Sequence, residues 1–344
     1  MKIILLSPLP PPSGGIASWT KLYLSECERN GIEADVINTS ISSKRANQKT
    51  RSFAILDEIA RSKRIICALK ERIKAGNPDA IHICSPCSKF GLFRDLFCVL
   101  AAKGTPVFFH CRCNIEDQAT TKISRYVLGI IVCKSKKVFV LNETSKKFID
   151  AIEPQKAVFV PNFIKDKCLK ENHNISDHIK TVMFVGHVKI KKGITEIFKV
   201  ASSLKDVKFI VIGPIQQLPN DIEKPDNVIL EGEVGHEKLS SYWQNADLFF
   251  FPSYTEGFAN VMLEAMANGL PIVATDVGAN KDMIENHGGT IVPVGDVEAM
   301  KTAILEVDDP ELRKKMSVWN IEKVRDKYVI SKVMPFIKQC YEDK

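Results

Sequence analysis

No run of 18 apolar residues occurs in this 344-residue chain, so no segment is expected to cross a bilayer as a helix. An export signal is not expected either. Met1-Lys-Ile-Ile-Leu-Leu-Ser-Pro is too short an apolar stretch before Pro10, Pro11 and Pro12 close it, and it reads as a buried first strand. The ten cysteines follow no framework spacing, which is the pattern of free thiols in a reducing cytoplasm. Aromatic residues are thin where positive charge is thickest: between Lys44 and Lys74 the one aromatic is Phe53. With no recognition motif to take their place, nucleic acid is not an expected partner. The three-glycine dinucleotide fingerprint, a short-period repeat and low-complexity tracts are all missing.

What the chain does have is alternation. Its length suits two domains better than one core. Apolar runs predict strands over 2–7, 33–38, 79–84, 106–110, 137–141 and 157–160, then over 181–185, 208–212, 228–230, 247–250, 271–274 and 289–292. Helical spacing occupies 17–29, 56–74, 90–102 and 120–133 in the first half, and 195–204, 237–245, 257–267 and 297–305 in the second. Such alternation predicts an α/β protein with two parallel sheets flanked by helices. The polar stretch 161–178 is the expected join. Beyond Asp308 the pattern is helical to the end, kinked or broken at Pro335.

Open α/β sheets bind ligands beyond the carboxyl ends of their strands, and three such places stand out. Glu256 and Glu264 bracket Gly257, Phe258, Ala259, Asn260 and Val261. The N–H groups of a helix beginning there would attract phosphate. Over a helix, eight residues span at most about 12 Å along the axis, enough to reach both ends of a sugar diphosphate. Taken alone, the two glutamates are ordinary carboxylates near a helix N-terminus. Gly186-His187-Val-Lys189-Ile-Lys191-Lys192-Gly193 joins another strand to its helix, and lysines there conflict with the helix dipole unless an anion is bound. Gly14-Gly15, after the first strand, permits close backbone approach.

Charge is divided unevenly. Residues 1–150 hold 24 Lys and Arg against 13 Asp and Glu, a balance of +11, whereas residues 151–344 balance at −4. The density peaks at Lys44, Arg45, Lys49, Arg51, Arg61, Lys63, Arg64, Lys70, Arg72 and Lys74. Ile55, Ile59, Ile66, Leu69 and Ile73 recur there at helical spacing, so a basic amphipathic helix facing an anionic membrane surface or acidic partner competes evenly with a merely solvated face. Two further clusters, His82-Ile-Cys84-Ser-Pro-Cys87 and His110-Cys111-Arg-Cys113, follow strands and could converge on a metal. Their spacings match no standard zinc pattern, and buried cysteine is the expectation.

Taken together, Phe184-Val-Gly186, Lys192-Gly193, Ala246-Asp-Leu-Phe-Phe-Phe-Pro-Ser253 and Glu256-Gly-Phe through Leu-Glu264-Ala-Met-Ala-Asn-Gly269-Leu-Pro-Ile-Val-Ala-Thr275 resemble the retaining glycosyltransferases of the group-1 (E-x7-E) family. Val160-Pro-Asn162 resembles the family's interdomain segment and Gly14-Gly15 its N-terminal glycine loop. The resemblance implies the GT-B fold, two Rossmann-like domains facing across a deep cleft. Its expected parts are an acceptor-side domain over 1–163, a nucleotide-sugar domain over 164–325 and a C-terminal helix over 326–344 packing back on the first domain. It also implies hexose transfer from a nucleoside diphosphate, UDP more than GDP, to an alcohol acceptor with retention.

By resemblance, Lys192 stabilises the leaving diphosphate, Glu256 holds the sugar and Glu264 accepts from the ribose. Gly257, Phe258, Ala259, Asn260 and Val261 complete the donor site, and His110 contacts the sugar. Read from its residues alone, His110 would be a core histidine at a strand end. No cofactor and no obligatory metal are implied. One departure stands out: the family's Arg after the glycine is His187 here, replacing a permanent bidentate cation with a titrating one. The expected partners are the nucleotide sugar and a glycan or lipid-linked acceptor. The expected place is the cytoplasm, peripheral on the inner face of the membrane. A GT-B nucleotide-sugar epimerase, or a two-domain binding protein without catalysis, would share the donor site.

Overall fold

The computed structural model describes residues 1–11, 14–40 and 51–343. Of the basic segment, Lys44, Arg45 and Lys49 lie outside them, as do Pro12 and Ser13 of the first loop. The chain forms two compact units, Met1–Asn162 with Ile330–Lys344, and Phe163–Val329.

Unit 1 is a parallel six-stranded sheet in the order β2-β1-β3-β4-β5-β6. Its strands are β1 (Lys2–Ser7), β2 (Glu33–Asn38), β3 (Ala80–Ser85), β4 (Val107–Cys111), β5 (Lys137–Val140) and β6 (Ala157–Phe159). The helices are α1 (Gly15–Cys27), α2 (Arg51–Gly76), α3 (Lys89–Ala101), α4 (Ile115–Gln118), α5 (Lys122–Lys134) and α6 (Glu143–Asp150). Strand side chains alternate between faces, and the alternation decides which layer each residue meets. Ile81, Ile83, Phe109 and Val138 pack with Ile65 and Leu69 of α2, Leu92 and Val99 of α3 and Leu128 and Ile131 of α5. Phe108, His82, His110 and Phe139 point the other way, toward Trp19 and Tyr23 of α1.

Unit 2 repeats the plan in the order β12-β11-β10-β7-β8-β9. Its strands are β7 (Thr181–Val185), β8 (Lys208–Ile212), β9 (Val228–Gly232), β10 (Leu248–Phe251), β11 (Ile272–Thr275) and β12 (Gly289–Val292). Between them run α7 (Ile194–Ser203), α8 (His236–Asn245), α9 (Asn260–Ala267), α10 (Asn280–Ile284) and α11 (Val297–Glu306). Helix α12 (Pro310–Lys327) starts on a strong signal: the Asp309 carboxylate accepts the Glu311 N–H at 2.9 Å, with proline at the first helical position.

Three readings of the sequence need correction. The helix after β10 begins at Asn260 rather than 257, because residues 257 and 258 form a bend and Ala259 is extended. The C-terminal helices are interrupted at Tyr328 and Val329, while Pro335 lies inside α13 (Ile330–Glu342) on its exposed side. On α2 the buried stripe runs through Ile65 and Leu69, whereas Ile55 and Ile59 turn outward.

Candidate functional site

In unit 2 the chain leaves β7 toward β8 on one side and returns to β10 on the other, so the topological switch lies between β7 and β10. The two strands pair through Leu248 with Val182 and Phe249 with Met183. The loops that follow them therefore emerge side by side, at the edge where open sheets bind ligands. One is 186–193 and the other 252–259. They are the lysine loop and the Glu256 loop of the sequence.

The Lys192 ammonium donates to a Glu256 carboxylate oxygen. It also lies over the Phe251 ring, 5.9 Å from its centre. Side-chain exposures of 22% for Lys192 and 12% for Glu256 leave the pair open to a ligand yet sheltered from bulk water. Lysine at the approach to α7 thus has an internal counter-anion. The conflict that pointed to a bound phosphate is relieved in this structure by Glu256 itself.

Two glycines make the arrangement possible. Gly193 turns with φ +84°, and a Cβ there would sit 2.2 Å from the Pro252 carbonyl oxygen. Gly278 has φ +56°, and a Cβ there would sit 2.4 Å from the Glu256 carbonyl oxygen. A side chain at either place would force the two loops apart. Further ties hold them. The Tyr254 N–H donates to the Lys191 carbonyl at 3.1 Å, and the Tyr254 hydroxyl donates to Glu196 at 2.7 Å. That bond pushes the phenol up to about 12. Ala279 N–H donates to the Gly257 carbonyl at 3.1 Å.

The remaining residues fall around this pair. Gly186 follows β7, and His187 beside it is exposed. Desolvation first, then the charges of Lys189 and Lys192, hold the His187 imidazole below its ordinary range. Phe258 and Ala259 are buried, and Ala259 precedes α9 without a side-chain cap. Asn260 and Val261 open the helix, and Glu264 is half-buried on its next turn. Tyr254, Glu196 and Gly278 were not anticipated. The one signal for Gly278 is its place in the loop after β11.

The unit 1 candidates do not form a comparable site. Gly14 has an extended backbone at φ −178°, and a Cβ there would meet nothing within 4 Å. The fold itself therefore does not require glycine at that position. His110 is fully buried, and both of its ring nitrogens are engaged, with His82 at 3.1 Å and Arg112 at 3.1 Å. Within unit 1 it is a buried histidine engaged by its neighbours.

The chain of bonds through His110 has a direction. A guanidinium only donates, so His110 Nε2 accepts and its proton sits on Nδ1, facing His82 Nε2. His82 then donates from Nδ1 to the Tyr341 hydroxyl at 2.6 Å, and Tyr341 donates to Tyr23 at 2.9 Å. Arg112 also donates to the Asn162 side-chain oxygen at 2.6 Å. Burial, then the Arg112 charge, lowers His82 to about 3 and drives His110 down as well.

The two His/Cys clusters of the sequence do meet, but strand alternation sorts them. His82, Cys84 and His110 place their ligand atoms within 4.8 Å of one another, a set that could hold a metal. The Arg112 cation on His110 opposes a second cation there. Cys87, Cys111 and Cys113 gather on the opposite face, where Cys87 hydrogen-bonds to both.

Comparison with known proteins adds a family to this geometry. Residues 165–320 match the model for glycosyl transferases group 1. This segment belongs to that family. The capsular polysaccharide biosynthesis glycosyltransferase CapM of Staphylococcus aureus is 29% identical over 177 residues, which are 47% of this chain and 46% of CapM. The chain thus spans about half the length of that curated relative. Sucrose-phosphate synthase from Thermosynechococcus elongatus aligns over 99% of this chain and 98% of its own, with a TM-score of 0.79 at 15% identity. Anabaena HepE in complex with UDP aligns over 100% of both chains, with a TM-score of 0.69 at 14% identity. The fold of the chain is GT-B.

Proposed function

We propose that the protein is a retaining hexosyltransferase. It takes a nucleoside-diphosphate sugar, UDP-linked, and passes the hexose to an alcohol acceptor, a lipid-linked glycan in cell-surface polysaccharide synthesis. The observation that carries this reading is the Lys192–Glu256 pair at the β7/β10 switch point, next to the uncapped start of α9. A diphosphate arriving there would take over Lys192, and the donors of the loop and helix tip would add to the charge stabilisation. Glu256, released from the lysine, would turn to the sugar hydroxyls, and Glu264 would accept from the ribose. The CapM name supports the polysaccharide class of acceptor, and the HepE complex supports UDP.

In this scheme the bond from the anomeric carbon to the diphosphate oxygen breaks first. The acceptor hydroxyl oxygen bonds to the same face of that carbon, and its proton passes to the departing diphosphate. No enzyme nucleophile is required. The lipid-linked acceptor places the protein in the cytoplasm, peripheral on the inner face of the membrane.

A thermal-shift panel of UDP, GDP and their sugars tests the donor, because a ligand that binds only the native state raises the melting temperature. UDP and a UDP-sugar should raise it, Glu264→Ala should abolish the rise, and Glu256→Ala should remove turnover while keeping it. No shift with any nucleotide would overturn the reading.

A further inference from the structure

The outer layer of unit 1 departs from the pattern of a solvated helix face. Helix α3 turns Phe90, Phe93, Phe97 and Leu100 outward at i, i+3, i+7 and i+10, with 54%, 43%, 54% and 52% of each residue exposed. Its inner side carries Leu92, Cys98 and Val99 in the core, together with the buried Arg94–Asp95 ion pair. The outer face of such a helix is normally polar, yet here it is aromatic and aliphatic and stays exposed. Its neighbours continue the surface. Helix α3 packs against both α2 and α5. The first turns of α2 expose Ile55, Leu56 and Ile59, and those of α5 expose Ile123 and Tyr126, at 46–72%. Single exposed apolar residues are ordinary, whereas a contiguous set across three adjacent helices marks an interaction surface.

The charges around the set select the partner. Lys63 and Arg64 on α2, Lys89 on α3, and Lys122 and Arg125 on α5 are exposed. Glu71 is the one exposed acid among the described residues of these helices. A protein–protein interface is depleted of lysine. Aromatic and aliphatic side chains bordered by lysine and arginine match a bilayer interface, with acyl chains below and phosphate headgroups above.

We propose that α2, α3 and α5 together form a membrane-docking face. Phe90, Phe93, Phe97 and Tyr126 enter the interfacial region of an anionic bilayer, and the flanking lysines and arginines meet lipid phosphates. The three helices connect parallel strands and start from the carboxyl edge of the unit 1 sheet, so docking brings that edge to the lipid. The inference extends the peripheral-membrane part of the proposed function but stands on exposure and charge alone. Vesicle binding needs no donor, so its failure would leave the transferase reading intact.

Sedimentation of the full chain with phosphatidylglycerol-rich vesicles, against pure phosphatidylcholine, provides the test. Binding is expected to the anionic vesicles at low salt. Phe93→Glu with Phe97→Glu should reduce it about tenfold or more, and Lys89→Glu with Lys122→Glu by about fivefold per residue. All four side chains are exposed, so an unchanged melting temperature should confirm that the variants fold. A Tyr126→Trp variant should lose its added fluorescence to brominated lipid, which headgroup attraction without insertion would not produce. Equal binding by the phenylalanine variant and the parent would overturn the proposal. So would a concentration-dependent dimer, abolished by Phe93→Glu, in a chain that leaves vesicles in solution.

Discussion

The two sheets each carry a polar cluster at or near their strand ends, and the clusters have opposite characters. In unit 2, Lys192 and Glu256 are charged, half-sheltered and joined by one contact that a ligand could exchange. In unit 1, His82, His110 and Arg112 are sealed in the core, and the bonds among them run in one direction from the guanidinium to Tyr341 and Tyr23. Low dielectric strengthens every bond in the sealed set and makes each one costly to lose. The open pair keeps its charge available. One cluster is therefore a buried network of the fold, and the other is the pair that the proposed function assigns to a ligand. Histidine and arginine in a motif do not by themselves mark a site, and burial against exposure separates the two clusters.

The largest expected effect breaks the open pair. Lys192→Ala should lower kcat by about 10²- to 10³-fold, the usual cost of removing a donor aimed at developing charge. The variant should keep its melting temperature within a few degrees, because Lys192 is partly solvated. Tyr341→Phe is the counterpart in the sealed cluster. It should lower the melting temperature and leave kcat within about twofold, since the lost hydroxyl makes two buried hydrogen bonds, each worth about 1 kcal/mol in stability. If kcat falls equally in both, the contrast between the clusters fails.

Next in size is the pH dependence of the sealed cluster. His82 titrates at about 3 in the folded protein and near 6.5 when unfolded. Between those values the unfolded chain binds the extra proton. The stability from neutral His82 is therefore complete above about pH 6.5 and is lost as pH falls toward 3. At about pH 5 the loss should be about 2 kcal/mol from this residue, with more from His110, whose pKa is lowered in the same direction. Denaturant titration of the parent and of His82→Gln across this range checks it. The variant should start less stable at neutral pH and decline less on acidification. A parallel decline would remove His82 as the cause.

Much of this architecture is legible in local pattern. Five strands, 2–7, 33–38, 181–185, 208–212 and 289–292, have the bounds expected from their apolar runs, because a buried parallel strand is a continuous hydrophobic segment. Helix α4, at four residues, and α10, at five, are too short to show a period, and neither was expected. The bend at 257–258 is hidden because Phe258 fits the helical spacing of the residues that follow, while its loop is shaped by Gly278, some twenty residues away. Lys192 and Glu256 were legible as separate residues, but their pairing was not. It depends on β10 lying beside β7, a fact of topology that no local window contains. The outward face of α3 was missed for a related reason. Phe90, Phe93 and Phe97 look like core until the sheet shows which side of the helix is covered.

The smallest effect sharpens the comparison from within the open cluster. His187 stands where the family resemblance expects arginine, and desolvation and two lysines keep it mostly neutral at pH 7. A bound diphosphate would favour its protonated form, so donor affinity should rise as pH falls through the imidazole range. Arginine carries its charge throughout. His187→Arg should therefore retain activity, tighten UDP-glucose by about three- to tenfold at neutral pH and flatten the pH dependence between about pH 5.5 and 7.5. The sugar diphosphate has no titrating proton in that interval, so the change in slope belongs to residue 187. Calorimetric titration across the interval measures both quantities. Loss of binding in the arginine variant would mean that the neutral imidazole makes a contact the longer cation cannot, and His187 would then join Lys192 and Glu256 as a group the ligand requires.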